Sequence, residues 1–179
     1  MVRVRKSLIF SLGAFAVLAA LSGCNGTDIE DPKFSDSVLV VQSVTPASVQ
    51  ADVSPTTDPN TMLMQPPADD VVTVSVKNLN RTQTTSGIFG DILVTSFNVQ
   101  CANNTLNVSN SPASLTIPAE SSADIRVLLA PGPFKMASMA FLLATATDLC
   151  EITFSGQDLS GEPFLSTPAV VGVSYVDTP

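Results

Sequence analysis

Val72-Thr73-Val74-Ser75-Val76-Lys77 is the stretch on which the fold turns. Three valines face one way and Thr73, Ser75 and Lys77 the other, the period of two that marks a strand with one buried side. The same period returns at Ile125, Val127 and Leu129, at Cys150, Ile152 and Phe154, and at Val171, Val173 and Tyr175. Between Ile92 and Cys101 it predicts that Leu93, Thr95, Phe97, Val99 and Cys101 share a face. Val38 to Val44 is a β-branched run closed by Thr45-Pro46, a first strand. Short alternating runs divided by Gly, Pro, Asn and Ser predict an all-β, antiparallel sandwich. From Pro46 to Asp70 the chain carries Pro46, Pro55, Pro59, Pro66 and Pro67, too many for a central strand. A long excursion is expected there, with a short edge strand at 48–53 and with Met62-Leu63-Met64 folded back over the sandwich, a partner-binding tip being the alternative. One segment dissents: Phe134 to Ala144, rich in Ala, Met and Leu after Pro131-Gly132-Pro133, predicts a short helix or irregular crossover capping one end.

The amino terminus reads differently. Arg3, Arg5 and Lys6 precede an apolar run from Leu8 to Ala20, shorter than the roughly 20 residues a membrane span needs, which is the pattern of an export signal. It ends at Leu21-Ser22-Gly23-Cys24, which resembles the lipobox of bacterial lipoproteins. That resemblance implies diacylglycerol on the Cys24 sulfur, cleavage before it and acylation of the new amino group, with no other cofactor. The plan is then a cleaved signal at 1–23, the lipidated cysteine with a flexible tether at 24–37, and a folded domain at 38–179. The whole chain has 8 basic and 16 acidic side chains over 179 residues, a net −8. Removing 1–23 leaves 156 residues with 5 basic against 16 acidic, a formal −11. Such a domain cannot hold nucleic acid by counterion release or anionic head groups by charge, so the acyl anchor must carry membrane attachment. Asn25, where an aspartate would favour inner-membrane retention, points to the outer membrane of a bacterial envelope.

Four stretches carry a second resemblance: Ile92 to Val99, Leu115 to Ala123, Val127 to Pro131, and Ile152 to Pro163, the last containing TFSGQDLSGEP. Together they are similar to small lipoproteins, common in delta-type proteobacteria, that hold a single immunoglobulin-like domain. The resemblance covers roughly residues 70–176 and implies a sandwich of about seven strands, without implying an activity. In the TFSGQDLSGEP hairpin, Gly156 and Gly161 permit tight bends and Asp158 can cap the turn with its own side chain.

Histidine is absent, which removes His-based triads, Cys-His pairs and zinc sites with a His ligand. Beyond Cys24 two cysteines remain, Cys101 and Cys150, and in an exported chain they read as one disulfide, two reduced buried thiols being the alternative. In an immunoglobulin-like sheet the third and sixth strands are antiparallel neighbours, so these strand ends meet, unlike the antibody bridge between sheets. Asp69 and Asp70 are adjacent and expected on opposite faces, which argues against a shared-proton dyad. Asp158 and Glu162, with Gln157, offer oxygen ligands to an ion but lack the Asp/Asn ladder of a calcium loop, which favours turn chemistry. The reading is a non-enzymatic protein-interaction or accessory module, held on the envelope by lipid and engaging a protein partner. A small-molecule- or ion-binding lipoprotein would need an enclosed apolar pocket. A carboxylate-based hydrolase would need two acids facing each other in a cleft.

Overall fold

A computed structural model describes residues 35–80 and 90–178. The signal at 1–23, the lipobox residues Leu21, Ser22, Gly23 and Cys24, and tether residues 25–34 lie outside the described residues. The elements are β1 (Ser37–Thr45), β2 (Ser48–Asp52), β3 (Thr56–Thr57), β4 (Met64–Gln65), β5 (Asp70–Asn80), β6 (Ile92–Cys101), β7 (Asn107–Ile117), β8 (Ser122–Ala130), α1 (Gly132–Thr145), β9 (Thr147–Asp158), β10 (Leu165–Ser166) and β11 (Ala169–Val176). The protein is therefore mostly β. One sheet has the order β10-β1-β5-β8, a second β2-β11-β9-β6-β7, and β3 and β4 pair with each other.

The expectation of purely antiparallel sheets needs correction. β1 pairs with β10, and β2 with β11, in parallel. Pro46, which has no N–H to give a ladder, ends β1. The chain then leaves the first sheet, Ala47 O accepts from Gly172 N at 3.1 Å, and β2 continues along the second sheet in the direction of β11. A crossing between sheets leaves no trace in a hydrophobic period.

Alternation otherwise places the core as expected. Val72, Val74 and Val76, then Ile125, Val127 and Leu129, then Cys150, Ile152 and Phe154, then Val171, Val173 and Tyr175 are all buried in one cluster fed by both larger sheets. β6 departs from its predicted face. Phe97, Val99 and Cys101 are buried, but so are Ile92 and Val94, while Leu93 is half-buried and Thr95 exposed. A bulge between Val94 and Ser96 adds one residue against β9 and flips the parity of everything before it.

The strands define two ends. At the entry end Ser35 N donates to Pro163 O at 3.0 Å and Ser37 Oγ to Gly90 O at 3.0 Å. β6 runs from there to Cys101, about 30 Å at the usual strand rise. At the far end β5 begins, β8 ends and α1 crosses from β8 in one sheet to β9 in the other. The dissenting segment is thus a helix that caps an end.

Candidate functional site

The far end is built around α1. Pro133 in its first turn and a run of Ala, Met and Leu favour helix. A Cβ on Gly132 would sit 1.9 Å from Pro67 O, so only glycine fits. Gly132 N donates to Asp69 Oδ1 at 2.7 Å, and Lys135 N to Pro131 O at 3.0 Å. The helix stops at Ala146, which takes φ 61° and gives its N–H to Leu142 O. Inward it presents Lys135 and Leu142, with Met139 and Leu143 half-buried. Lys135 is 1% exposed, and its Nζ donates to Ala68 O at 2.6 Å and to Asp70 Oδ2 at 2.5 Å. Burial pushes the Asp70 carboxyl above the usual carboxylate range, although the hydrogen bond and charge of Lys135 pull it down. Lys135 is the one charged residue of α1, so the outward side, with Phe134, Met136, Ala137, Ala140, Phe141 and Ala144, carries no charge at all. A solvent-facing helix side normally carries the polar residues.

The β3–β4 hairpin leads into the segment that meets the first turn of α1, where Lys135 Nζ donates to Ala68 O. Asp58 N donates to Leu63 O at 3.0 Å, Met62 N to Asp58 O at 2.8 Å, and Asn60 N to Asp58 Oδ1 at 2.8 Å. That backbone donor, with help from Thr61, holds the Asp58 carboxyl below its ordinary range. The closed local turn keeps Met62 at 77%, Leu63 at 66% and Met64 at 62% exposure. Met62-Leu63-Met64 therefore does not fold back over the core, contrary to expectation. Among the described residues, Met62, Leu63, Met64, Val71, Phe134, Met136, Phe141 and Leu149 bring eight of the eleven exposed large hydrophobic side chains to the far end.

A buried polar network stiffens the other side of this end. Asp148 accepts from Asn103 N at 3.1 Å, Thr105 Oγ1 at 2.6 Å and Leu149 N at 2.8 Å, and Tyr175 OH donates to Thr105 Oγ1 at 2.8 Å. Burial raises the Tyr175 phenol above its usual value, so it stays a donor. On the outer face above, Leu149 stands 62% exposed between two open depressions, one of 530 Å³ against Gln100, Glu151 and Val170, the other of 370 Å³ against Ser48, Gly172 and Ser174. Neither is the enclosed apolar pocket that a small-molecule carrier requires.

No protein-family model matches the chain, and comparison with curated proteins finds no match. The chemistry must be read from the residues. Cys101 and Cys150 are register partners on β6 and β9 and form a disulfide within one sheet. Asp158 is spent on its turn: its Oδ1 accepts from Ser160 N at 2.8 Å, Ser160 Oγ at 2.6 Å and Glu162 N at 3.0 Å. Burial would raise its carboxyl, but those donors and Ser35 outweigh it and hold Asp158 below the usual range. Glu162 enters that turn through its backbone, and no group of three or more Cys, Asp or Glu side chains suited to a metal exists among the described residues. Asp69 and Asp70 are divided between the α1 backbone and Lys135, which occupies both in structural contacts. Three groups went unnoticed in the sequence. Asp148 shares the buried parity of Cys150 and Ile152, so extending that face by one step would have found it. Lys135, a single charge in an otherwise uncharged segment, was another available signal. Asn78 continues the face of Val72, Val74 and Val76 and binds Gly90 O at 2.7 Å and Ile117 O at 3.0 Å through Nδ2.

Proposed function

We propose that this protein is a non-enzymatic interaction module of the bacterial envelope: an immunoglobulin-like β-sandwich, held by acylated Cys24 after cleavage behind Gly23, that offers its far end to a protein partner. The single observation that carries the partner-facing part is the uncharged outer side of α1, with Phe134, Met136 and Phe141 exposed. Support for the sandwich comes from the first strand dividing between sheets at Pro46 and from the order β2-β11-β9-β6-β7, with β6 and β9 as neighbours. Ser35 lies at the end opposite α1, where its N–H donates to Pro163 O. Among the described residues, no helix is long and apolar enough to cross a membrane, and anchoring rests on the lipobox resemblance. The small lipoproteins with one immunoglobulin-like domain remain the group it resembles, with the outer membrane as the proposed location.

The experiment has two arms. Cys24→Ser is expected to abolish labelling by radioactive palmitate, and continued labelling would overturn the anchor. Affinity purification after mild crosslinking in the native envelope is expected to recover a stoichiometric protein partner that Phe141→Asp loses. Recovery of none, or recovery indifferent to Phe141, would overturn the interaction reading.

A further inference from the structure

We propose that β8 carries a separate interaction surface: its free edge pairs antiparallel with β8 of a second copy of this chain, about a twofold axis through Ile125. The inference goes beyond the interaction reading and uses none of the α1 face. β8 is an end strand of the sheet β10-β1-β5-β8, with β5 on one side and, among the described residues, no strand on the other. The remaining edges of the two larger sheets are guarded. β10 has two residues and β2 five, and β7 is broken by two register shifts, by Pro112 and by Asn110 at φ 51°. β8 has none of these guards. Its register with β5 runs unbroken from Ser122 opposite Lys77 to Leu128 opposite Val71, and it contains no proline. Ser121 O accepts from Asn78 N at 3.0 Å, so the Ser121 carbonyl points toward β5. Alternate residues of a strand bond to opposite sides, so Ala123, Ile125 and Val127 also bond toward β5. Ser122, Asp124, Arg126 and Leu128 then aim their N–H and C=O groups out of the sheet.

Charge selects both the occupant and the register. Asp124 and Arg126 are exposed on the outer face of β8, and neither has an ion-pair partner among the described residues. In an antiparallel pairing centred on Ile125, Asp124 of each copy stands directly opposite Arg126 of the other, twice per dimer. Opposite charges in that position attract, and like charges repel. The neighbouring registers that keep the buried faces aligned would set Asp124 against Asp124, or Arg126 against Arg126. Charges on an edge ordinarily guard it; this pair is self-complementary in the register centred on Ile125, as a twofold contact requires. Ser122 then meets Leu128, and the four outward-bonding residues of each strand supply about eight ladder bonds. Two four-stranded sheets become one. The axis reverses strand direction, so the two Ser35 residues leave at opposite ends. The eleven steps from each Cys24, at most about 40 Å, let both anchors reach one bilayer beneath strands lying along it.

Ser122, exposed on the edge strand, is the reporter. In cells making the full chain with Ser122→p-benzoylphenylalanine, ultraviolet light is expected to give an adduct of twice the chain mass, joined to the peptide around Leu128. Asp124→Arg alone and Arg126→Asp alone are each expected to lower its yield about tenfold, since either one sets like charges together at both contacts of the dimer. The double variant Asp124→Arg, Arg126→Asp opposes unlike charges again and is expected to restore the yield, which misfolding of the single variants would not allow. The photoreactive residue at Gln50, on β2, is expected to give no such adduct. Phe141→Asp is expected to leave the adduct at 122 unchanged; its loss there would move the contact to α1 and overturn the pairing. No adduct at 122, an adduct with lipid or with a different protein, single variants without effect, or a double variant as low as either single would overturn it as well. Palmitate labelling of Cys24 and recovery of a partner that depends on Phe141 are independent of every one of these outcomes.

Discussion

Lys135→Met removes the charge that α1 buries while keeping most of its apolar stem. Two acceptors then lose their donor: Ala68 O, bound at 2.6 Å, and Asp70 Oδ2, bound at 2.5 Å. Breaking a buried pair by deleting one partner costs about 3–5 kcal/mol. The Asp70 side chain keeps 17% exposure, so water reaches part of it and the low end, about 3 kcal/mol at pH 7, is expected. For a domain of this size that lowers Tm by roughly 6–12 °C. The pH dependence is the sharper test. A carboxyl held above its ordinary 3.8 favours the fold fully below that value and loses the contribution as pH rises through its folded pKa. In the native protein Lys135 offsets part of this loss; in the variant nothing does. The penalty should therefore shrink as pH falls from 7 toward the ordinary carboxylate value of 3.8, because a carboxyl held above that value takes up its proton on the way. Adding Asp70→Leu should restore most of the stability, because replacing a whole buried pair is often nearly neutral. Urea unfolding at several pH values, followed by circular dichroism, measures all three. A penalty under 1 kcal/mol at pH 7, or one that stays constant down to pH 4, would refute the account of Lys135 as the partner of Asp70.

Three further outcomes are expected. Replacing both Cys101 and Cys150 by serine should cost about 4 kcal/mol by the chain-entropy estimate for a closed loop of 49 residues, and a reductant titration of the native protein should lower Tm correspondingly. Asn78→Asp should destabilise by about 3 kcal/mol or more, read by chemical denaturation, because it sets a fully buried acceptor against Gly90 O and Ile117 O where an amide now donates to both. Asp158→Asn should cost roughly 1–2 kcal/mol at pH 7. The folded Asp158 carboxyl lies below 3.8, so its contribution is present above that value and lost as pH falls through the depressed pKa; the variant should show a flatter acid limb in a Tm-versus-pH series.

How much of this was legible depended on whether a feature is local. Val72, Val74 and Val76 announce their strand and its buried side, because a period of two needs no knowledge of the partner. The α1 segment was legible as an exception to that period, and Asp158 as a turn cap, because Ser160 and Glu162 lie within four residues. The bulge at Val94 was not: a single inserted residue is decided by the β9 strand it faces, which also reversed the places of Leu93 and Val94. The parallel pairings of β1 with β10 and β2 with β11 were equally hidden, since direction is set by where the chain crosses between sheets. At the candidate site the composition of α1 was visible while the orientation of its faces was not. Lys135 reads as a surface residue until Asp70, 65 positions away, is known to lie against it. Met62-Leu63-Met64 reads as core until the turn that holds it outward is known.

The position of β1 also decides how the protein responds to force. If the chain is tethered ahead of residue 35 and loaded at the far end, the pull runs along β1. β1 is held to β5 from Ser37 opposite Asn80 to Thr45 opposite Thr73. Ladder bonds in an antiparallel pair lie across the strands, so such a load would shear many of them together and could not unzip them one at a time. A tension between anchor and partner would thus be met first by the strand best placed to resist it.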